Sequence, residues 1–359
     1  MKIGILTHHH ISNEGAVLQA YAQAKMLQNH FPQARVEVVD LWIKSYSALT
    51  KKKWNKPRNI MFRNFIENNL PLSERFISDS YEDSLNFVNS LDYDIVVVGS
   101  DEVWKLEWGK YTKTFPNIYW LSPKLNCRKI AMSASANLLI YKNRGKEQLE
   151  RMRELLSSFE FLGVRDDHTR EFLEVIGLKG FKMCDPAIAY DFPEIDLSKK
   201  LKKIGIDINK PILGVRIPKG KQRLIAADCQ YFKDRGYQIV SFMHSNEFAD
   251  FNIQAVLNPI EWANLFRYMN FCVSNSYHSL IFSIKNKVPI KVVDFDPAYK
   301  EIESKTRNLL NDLDMLYCYG KIGEILQKYS VDKNRLNSLK QTYLNALDKI
   351  GGNYDNGDS

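Results

Sequence analysis

The chain has 359 residues, of which 45% are hydrophobic and 26% charged. This is ordinary globular composition with apolar material for a core of two-domain size, and it excludes disorder as the main state. The uncharged stretch from Tyr268 to Ile284 holds Asn270, Ser274, Asn275, Ser276 and His278, too many groups that would lack partners in lipid for a membrane span. The formal charge is +8, but no nucleic-acid-binding motif accompanies the basic residues, so nucleic acid is not an expected partner.

In chain order, Met1-Lys2-Ile3-Gly4-Ile5-Leu6-Thr7 lacks a long apolar region and a small-residue cleavage site, so it reads as a strand over 3–7 rather than a secretory leader. His8, His9 and His10 follow and read as native residues rather than a tag. Val17, Ala20, Tyr21, Ala24 and Leu27 have helical spacing, which predicts a helix over 16–30, and a second strand fits 35–41. Between Leu41 and Ile66 lie Lys44, Lys51, Lys52, Lys53, Lys56, Arg58 and Arg63 with no acid, flanked in part by Trp42 and Trp54. This segment reads either as a solvated basic insertion, as a footprint on an anionic membrane, or as a site for a phosphate-bearing substrate. Helices are expected near 58–69 and 81–91, and the run 94–98 reads as a strand buried on both faces, as in a parallel sheet. Strands at 128–133, 160–164 and 181–184 alternate with helices near 145–157 and 166–176.

Residues 191–211 carry Pro193, clustered lysines, Gly205 and Pro211 and read as a linker. A second alternation follows, with strands at 212–217, 237–243, 271–274 and 289–293 and helices near 222–235, 260–268, 277–286 and 301–313. The expected organisation is therefore α/β, with two Rossmann-like domains facing across a cleft: 1–195 with a basic insertion at 42–90, and 205–320, then helices over 321–350 and a disordered tail over 351–359. The five cysteines, Cys127, Cys184, Cys229, Cys272 and Cys318, are odd in number and form no CxxC pair. They read as thiols in a reducing cytoplasm, without a zinc or disulfide framework.

Six loops at expected strand ends carry candidate chemistry, because such loops line the ligand crevice of a doubly wound sheet. Asn13 and Gly15 open the first helix, where backbone N–H groups either hold an anion or simply form a capped turn. No G-x-G-x-x-G pattern is present, so a nicotinamide dinucleotide site is unsupported. In Gly99-Ser100-Asp101-Glu102-Val103-Trp104, Ser100 or Asp101 caps a following helix, or Asp101 serves as base or hydroxyl anchor for a sugar-like substrate with Trp104 as a stacking face. Arg165, at the end of 160–164, either clamps a phosphate or carboxylate with its planar fork or pairs with a neighbouring aspartate; Arg216, ending 212–217, is in the same situation. His278 lies in the first turn of a helix opened by Ser274-Asn275-Ser276-Tyr277, with Ser279 after it. A histidine beside an anion pocket can act as general acid or phosphate donor. His244, after the strand 237–243, is a weaker cleft candidate, and without a G-x-S-x-G motif a serine hydrolase is unsupported.

Taken together, these segments resemble the polysaccharide pyruvyl transferase family. Asn13 to Ala22 resembles its N-x-G-A-x-L-Q-A-Y-A signature, Asp94 to Trp104 its V-x-G-S-D-Q-V-W segment, and Arg128 to Ser135 its K-I-x-Y-A-x-S strand. Gly163 to Leu173 is similar to its V-R-E/D region, Cys184-Asp185-Pro186 to its later D-P, Val273 to Ile284 to its S-x-S-F-H-G-x-x-F-S-I hallmark, and Arg307 to Leu310 to its R-x-x-x-L-L helix. The resemblance spans about residues 3–315. It implies a two-domain GT-B fold in the cytoplasm and transfer of an enolpyruvyl-derived group from phosphoenolpyruvate to two hydroxyls of a glycan sugar, with release of phosphate. No cofactor beyond this co-substrate and no metal is implied. The acceptor is expected to be lipid-linked, with residues 44–63 touching the membrane peripherally.

Under this resemblance, His278 is the expected acid or phosphate contact and Asp101 the base or sugar anchor. Arg165, Arg216, Ser276, Ser279 and His244 fall on the donor side, in the second domain apart from Arg165, and Asn13, Gly15, Ser100 and Trp104 on the acceptor side in the first. The chain departs from the family pattern at several places. Ser276 and Tyr277 stand where some relatives carry arginine and leucine, Ser279 where glycine is usual, Asn275 where aspartate is common, and Glu14 and Glu102 where an aromatic and a glutamine are usual. Two other readings stay open: a GT-B glycosyltransferase using a nucleotide sugar, and a non-catalytic glycan-assembly protein.

Overall fold

Short valine- and isoleucine-rich strands separated by amphipathic helices sort into two parallel sheets, each the centre of one unit. The computed structural model describes residues 1–44, 56–108, 111–112, 114–137, 139–296 and 302–351. The first unit comprises Met1–Tyr190 with Asn337–Ser359, and the second Asp191–Leu336. The lysine run 51–53 and the tail 352–359 lie outside the described residues.

The first unit runs β1 (Lys2–Leu6), α1 (Glu14–His30), β2 (Arg35–Val38), β3 (Leu41–Ile43), α2 (Pro57–Asn69), β4 (Phe76–Ser78), α3 (Tyr81–Ser90), β5 (Ile95–Val98), β6 (Glu107–Trp108), β7 (Tyr111–Thr112), β8 (Arg128–Ala134), α4 (Lys146–Leu156), β9 (Phe161–Val164), α5 (Asp167–Val175), β10 (Phe181–Lys182) and α6 (Pro186–Ala189). Its six-stranded sheet has the order β10-β9-β8-β5-β1-β2 and is parallel throughout. The central strand β5, Ile-Val-Val-Val, is wholly apolar and buried, as suits a parallel sheet covered on both faces. The chain builds β2 to one side of β1 and all later strands to the other, so the carboxyl ends of β1 and β5 form a topological switch point.

The second unit runs α7 (Ser198–Lys203), β11 (Ile212–Arg216), α8 (Ala226–Lys233), β12 (Gln238–Ser241), β13 (Phe251–Asn252), α9 (Pro259–Leu265), β14 (Phe271–Ser274), α10 (Tyr277–Lys285), β15 (Ile290–Val292), α11 (Lys305–Asp312) and α12 (Ile322–Lys328). Its parallel sheet has the order β13-β12-β11-β14-β15, with the switch point between β11 and β14. The last helix, α13 (Lys333–Ile350), begins in this unit and ends in the first. Its buried Tyr343, Ala346, Leu347 and Ile350 pack into the first unit. There the Cys184 N–H donates to Thr342 Oγ1 at 2.9 Å.

Several expected elements differ. The strand expected over 35–41 is two: after β2 the chain turns at Asp40, and β3 pairs with β4 in a separate two-stranded sheet. The expected linker holds α7 and buries Leu197, Leu201 and Ile206. The helix expected near 222–235 begins as a 3-10 turn, Lys219–Ile225. Cys184, Cys229, Cys272 and Cys318 are buried, and no disulfide forms among the described residues. No helix among the described residues is long and apolar enough to cross a membrane.

Candidate functional site

At the β11/β14 switch point, Arg216 and Ser274 are register partners at the two strand ends. The Arg216 guanidinium donates to Asn275 Oδ1 at 3.2 Å and lies against Met243 Sδ, which ties together the loops after β11, β12 and β14. Ser276 is the N-cap of α10 in an extended conformation, and its side chain makes no capping hydrogen bond. The Ser276 N–H is instead taken by Ser274 Oγ at 3.0 Å. The first-turn N–H groups of α10 thus lack the usual side-chain oxygen and suit an anion. His278 is the second residue of this helix, buried edge-on against Tyr277, with the Lys305 ammonium over the Tyr277 ring. Ser279 Oγ is buried without a hydrogen-bond partner. Burial pushes the nearby Cys272 thiol up to about 12, so it stays protonated. His244 follows β12, and its carbonyl accepts from Ser241 Oγ.

At the β1/β5 switch point the arrangement is a buried polar network. Gly99 has φ of +107°, and a Cβ there would lie 2.3 Å from the Met132 carbonyl oxygen, so only glycine fits. Asp101 is itself held at φ of +87°, a strained conformation for a residue other than glycine. Its Oδ1 accepts from Arg165 Nη2 at 3.1 Å and from the Glu102 N–H at 2.8 Å. Arg165 Nη1 donates to Asp185 Oδ2 at 2.8 Å, and Ser100 Oγ donates to the same oxygen at 3.1 Å. Two glutamines of α1 complete the frame: Gln23 accepts from the Ser100 N–H at 2.8 Å, and Gln19 donates to Thr7 Oγ1 at 2.8 Å.

Residues 13–297 match the polysaccharide pyruvyl transferase family. The chain belongs to that family. Comparison with curated proteins gives no match. Among solved structures, the chain is similar to a UDP-N-acetylglucosamine 2-epimerase from Listeria monocytogenes, with 12% identity, TM-score 0.53, and coverage of 98% of this chain and 96% of that one. It is similar to S. aureus MnaA in a structure with UDP, with 10% identity, TM-score 0.54 and coverage of 98% and 96%. The UDP-GlcNAc 2-epimerase of Neisseria meningitidis, bound to UDP-GlcNAc, gives 12% identity, TM-score 0.53 and coverage of 98% and 100%. These likenesses establish the GT-B fold class.

Within the family's motifs, the structure corrects several expected roles. Trp104 is completely buried against Trp120 and Phe159 and donates to the Tyr119 carbonyl, so it offers no stacking face. Ser100 is likewise buried, held by Gln23 and Asp185, and positions the loop rather than meeting a ligand. Residues 102–104 form a bend and turn, so neither Ser100 nor Asp101 caps a helix there. The Arg165 side chain is 0% exposed and spans Asp101 and Asp185. Its expected partners, Asp166 and Asp167, turn elsewhere: Asp166 caps α5 through the Thr169 N–H, and Asp167 pairs with Lys182. Arg165 is therefore a positioning residue, enclosed between carboxylates and not presented to a donor anion. Asn13 caps α1 by accepting from the Ala16 N–H, the capped-turn alternative, and Gly15 is buried in its first turn. The first turn also carries the buried Glu14 carboxylate, which Arg58 holds at 2.7 Å. Gln19 and Gln23 were not singled out by the sequence, although two buried glutamines four apart on an apolar helix are such a signal.

Proposed function

We propose that the chain transfers an enolpyruvyl-derived group from phosphoenolpyruvate to two hydroxyls of one sugar in a polysaccharide intermediate, closing a pyruvate ketal and releasing phosphate. The observation that carries this reading is the start of α10 in a member of this family: N–H groups without a side-chain cap, Arg216 and His278 gather at a switch point. Such a group suits a small dianion or trianion. Protonation of donor C3 gives cationic character at C2; a hydroxyl adds there, and a second hydroxyl replaces the leaving phosphate. His278 is assigned as the acid or as a phosphate contact, with Arg216 on the donor carboxylate or phosphate. Asp101, fixed by Arg165, is assigned to a sugar hydroxyl. The acceptor is taken to be lipid-linked and the enzyme cytoplasmic, with the basic segment 44–63 at the membrane surface.

A second reading has one observation in its favour: relatives in fold were solved with UDP or UDP-GlcNAc, and a helix N-terminus serves a diphosphate equally well. Thermal unfolding with phosphoenolpyruvate, phosphate and nucleotide sugars separates the two. A ligand at 100 times its Kd stabilises the folded state by about 2.7 kcal/mol. The expected result is a rise with phosphoenolpyruvate that His278→Ala removes without lowering the ligand-free midpoint. A rise with a nucleotide sugar alone moves the reaction to glycosyl transfer.

A further inference from the structure

Ketal formation needs a proton acceptor for the sugar hydroxyls, and the Asp101 carboxylate already accepts from Arg165 and Glu102. The same switch point offers another group. We infer that His10 is the proton acceptor for the acceptor-sugar hydroxyl, with His9 and Asp40 as its positioning residues; this rests on the pyruvyl transfer proposed above.

His8, His9 and His10 leave the carboxyl end of β1, and Thr7 Oγ1 donates to the Ser100 carbonyl at 2.7 Å, which joins this loop to the one bearing Asp101. His9 is fully buried, with Nε2 3.0 Å from Asp40 Oδ1 and Nδ1 3.1 Å from the Thr7 carbonyl oxygen. A carboxylate can only accept, so His9 Nε2 donates to Asp40, and the two contacts fix the plane of the His9 ring. Asp40 also accepts from Trp42 Nε1 and from Arg75 Nε at 2.8 Å. The His10 ring stacks on Trp42, centroids 4.9 Å apart and 17° from parallel, and meets the edge of His9 at 5.1 Å. The Arg75 guanidinium lies over the Trp42 ring. The plane of His10 is thus fixed by two aromatic contacts.

The ring as a whole is only partly buried, and its enclosed Nδ1 has no hydrogen-bond partner. Nε2 is the nitrogen assigned here to the hydroxyl. Burial, then the charges of His9 and His8, lower the His10 pKa well below the ordinary histidine value; Asp40 opposes them and Arg75 adds to them. The ring is therefore neutral and carries the lone pair a base needs. The three histidines form no metal-holding group among the described residues. In the step assigned here, the sugar O–H bond breaks as the O–C2 bond forms. The proton passes to His10 Nε2 and from there to water.

The test uses the full chain with phosphoenolpyruvate and a panel of methyl glycopyranosides, following phosphate release. His10→Phe keeps a ring on Trp42 but has no basic nitrogen; His10→Ala removes both. Each is expected to lower kcat by about 10² to 10⁴, with KM for phosphoenolpyruvate unchanged and partial rescue of His10→Ala by added imidazole. A His10→Phe enzyme of wild-type rate overturns the assignment. If the wild type releases no phosphate with any glycoside, the proposed transfer is what fails. Histidine NMR then judges the site: a His10 ring that stays neutral at mildly acid pH and shifts on glycoside addition sustains a hydroxyl-binding base, and an ordinary titration unmoved by every glycoside overturns it.

Discussion

The two switch points of this chain stand on the same kind of parallel sheet and are furnished in opposite ways. At β1/β5, the charges around Asp101 are paired: Arg165 lies between Asp101 and Asp185, and Ser100, Gln19 and Gln23 fix the loop. At β11/β14, α10 begins without a side-chain cap beside a partly buried arginine and a histidine. The first arrangement is rigid and carboxylate-rich, which suits the orientation of neutral hydroxyls. The second is rich in donors, which suits an anion that supplies the missing acceptors. In the proposed transfer, one fold serves two recognition tasks by changing which end of the hydrogen bond the protein provides.

The sharpest way to break the comparison is Arg165→Ala. Removing one partner of a buried ion pair leaves carboxylates uncompensated and is expected to cost about 3–5 kcal/mol in denaturant unfolding; a cost below 1 kcal/mol would mean that the first network is not structural. Next is Asp40→Asn. Burial alone would raise the Asp40 pKa, but the His9, Arg75 and Trp42 hydrogen bonds outweigh it and hold it at about 2. A folded pKa below the ordinary carboxylate value stabilises above that value, and the contribution is lost as pH falls through the folded pKa. Asp40→Asn should therefore cost roughly 2 kcal/mol at neutral pH, with the gap to wild type closing on acidification toward the folded pKa.

The β–α alternation was legible because buried strands and amphipathic helices write their period into local sequence, and both switch points follow from strand ends. What was not legible depends on contacts distant in sequence. Arg165 sits beside Asp166 and Asp167, yet its partners are Asp101 and Asp185. A local rule could have warned of this, because Asp166 precedes a helix and is spent on its N-cap. Trp104 follows a strand end as a ligand-stacking residue would, and only the packing of Trp120 and Phe159 places it in the core. His8 to His10 show no periodicity, so nothing in the sequence tied them to Asp40.

At the second switch point the expected effects are smaller, because the groups are proposed to serve a ligand more than the fold. Arg216→Gln should weaken phosphoenolpyruvate binding about tenfold, ~1.4 kcal/mol, with little change in the ligand-free unfolding midpoint; the reverse pattern would make Arg216 a structural residue like Arg165. The smallest effect is expected from Ser279→Ala. Its buried hydroxyl lacks a partner, so removal should be neutral or stabilise by up to about 1 kcal/mol. If the phosphoenolpyruvate-induced rise in midpoint disappears with it, the hydroxyl is a donor contact; if the rise persists, Ser279 only fills space.

The path of α13 bears on how the protein is made. The first unit includes Asn337–Ser359, so the whole second unit is an insertion within it. A ribosome that has finished Tyr190 has not yet made Tyr343, Leu347 or Ile350, or the Thr342 hydroxyl that meets Cys184 beside Asp185. The second unit can close as soon as its own residues emerge, whereas the first must wait for the last turns of the chain. Nascent chains arrested before Asn337 are thus expected to yield a protease-resistant second unit and a susceptible first one, an inversion of the usual order in which amino-terminal domains mature first.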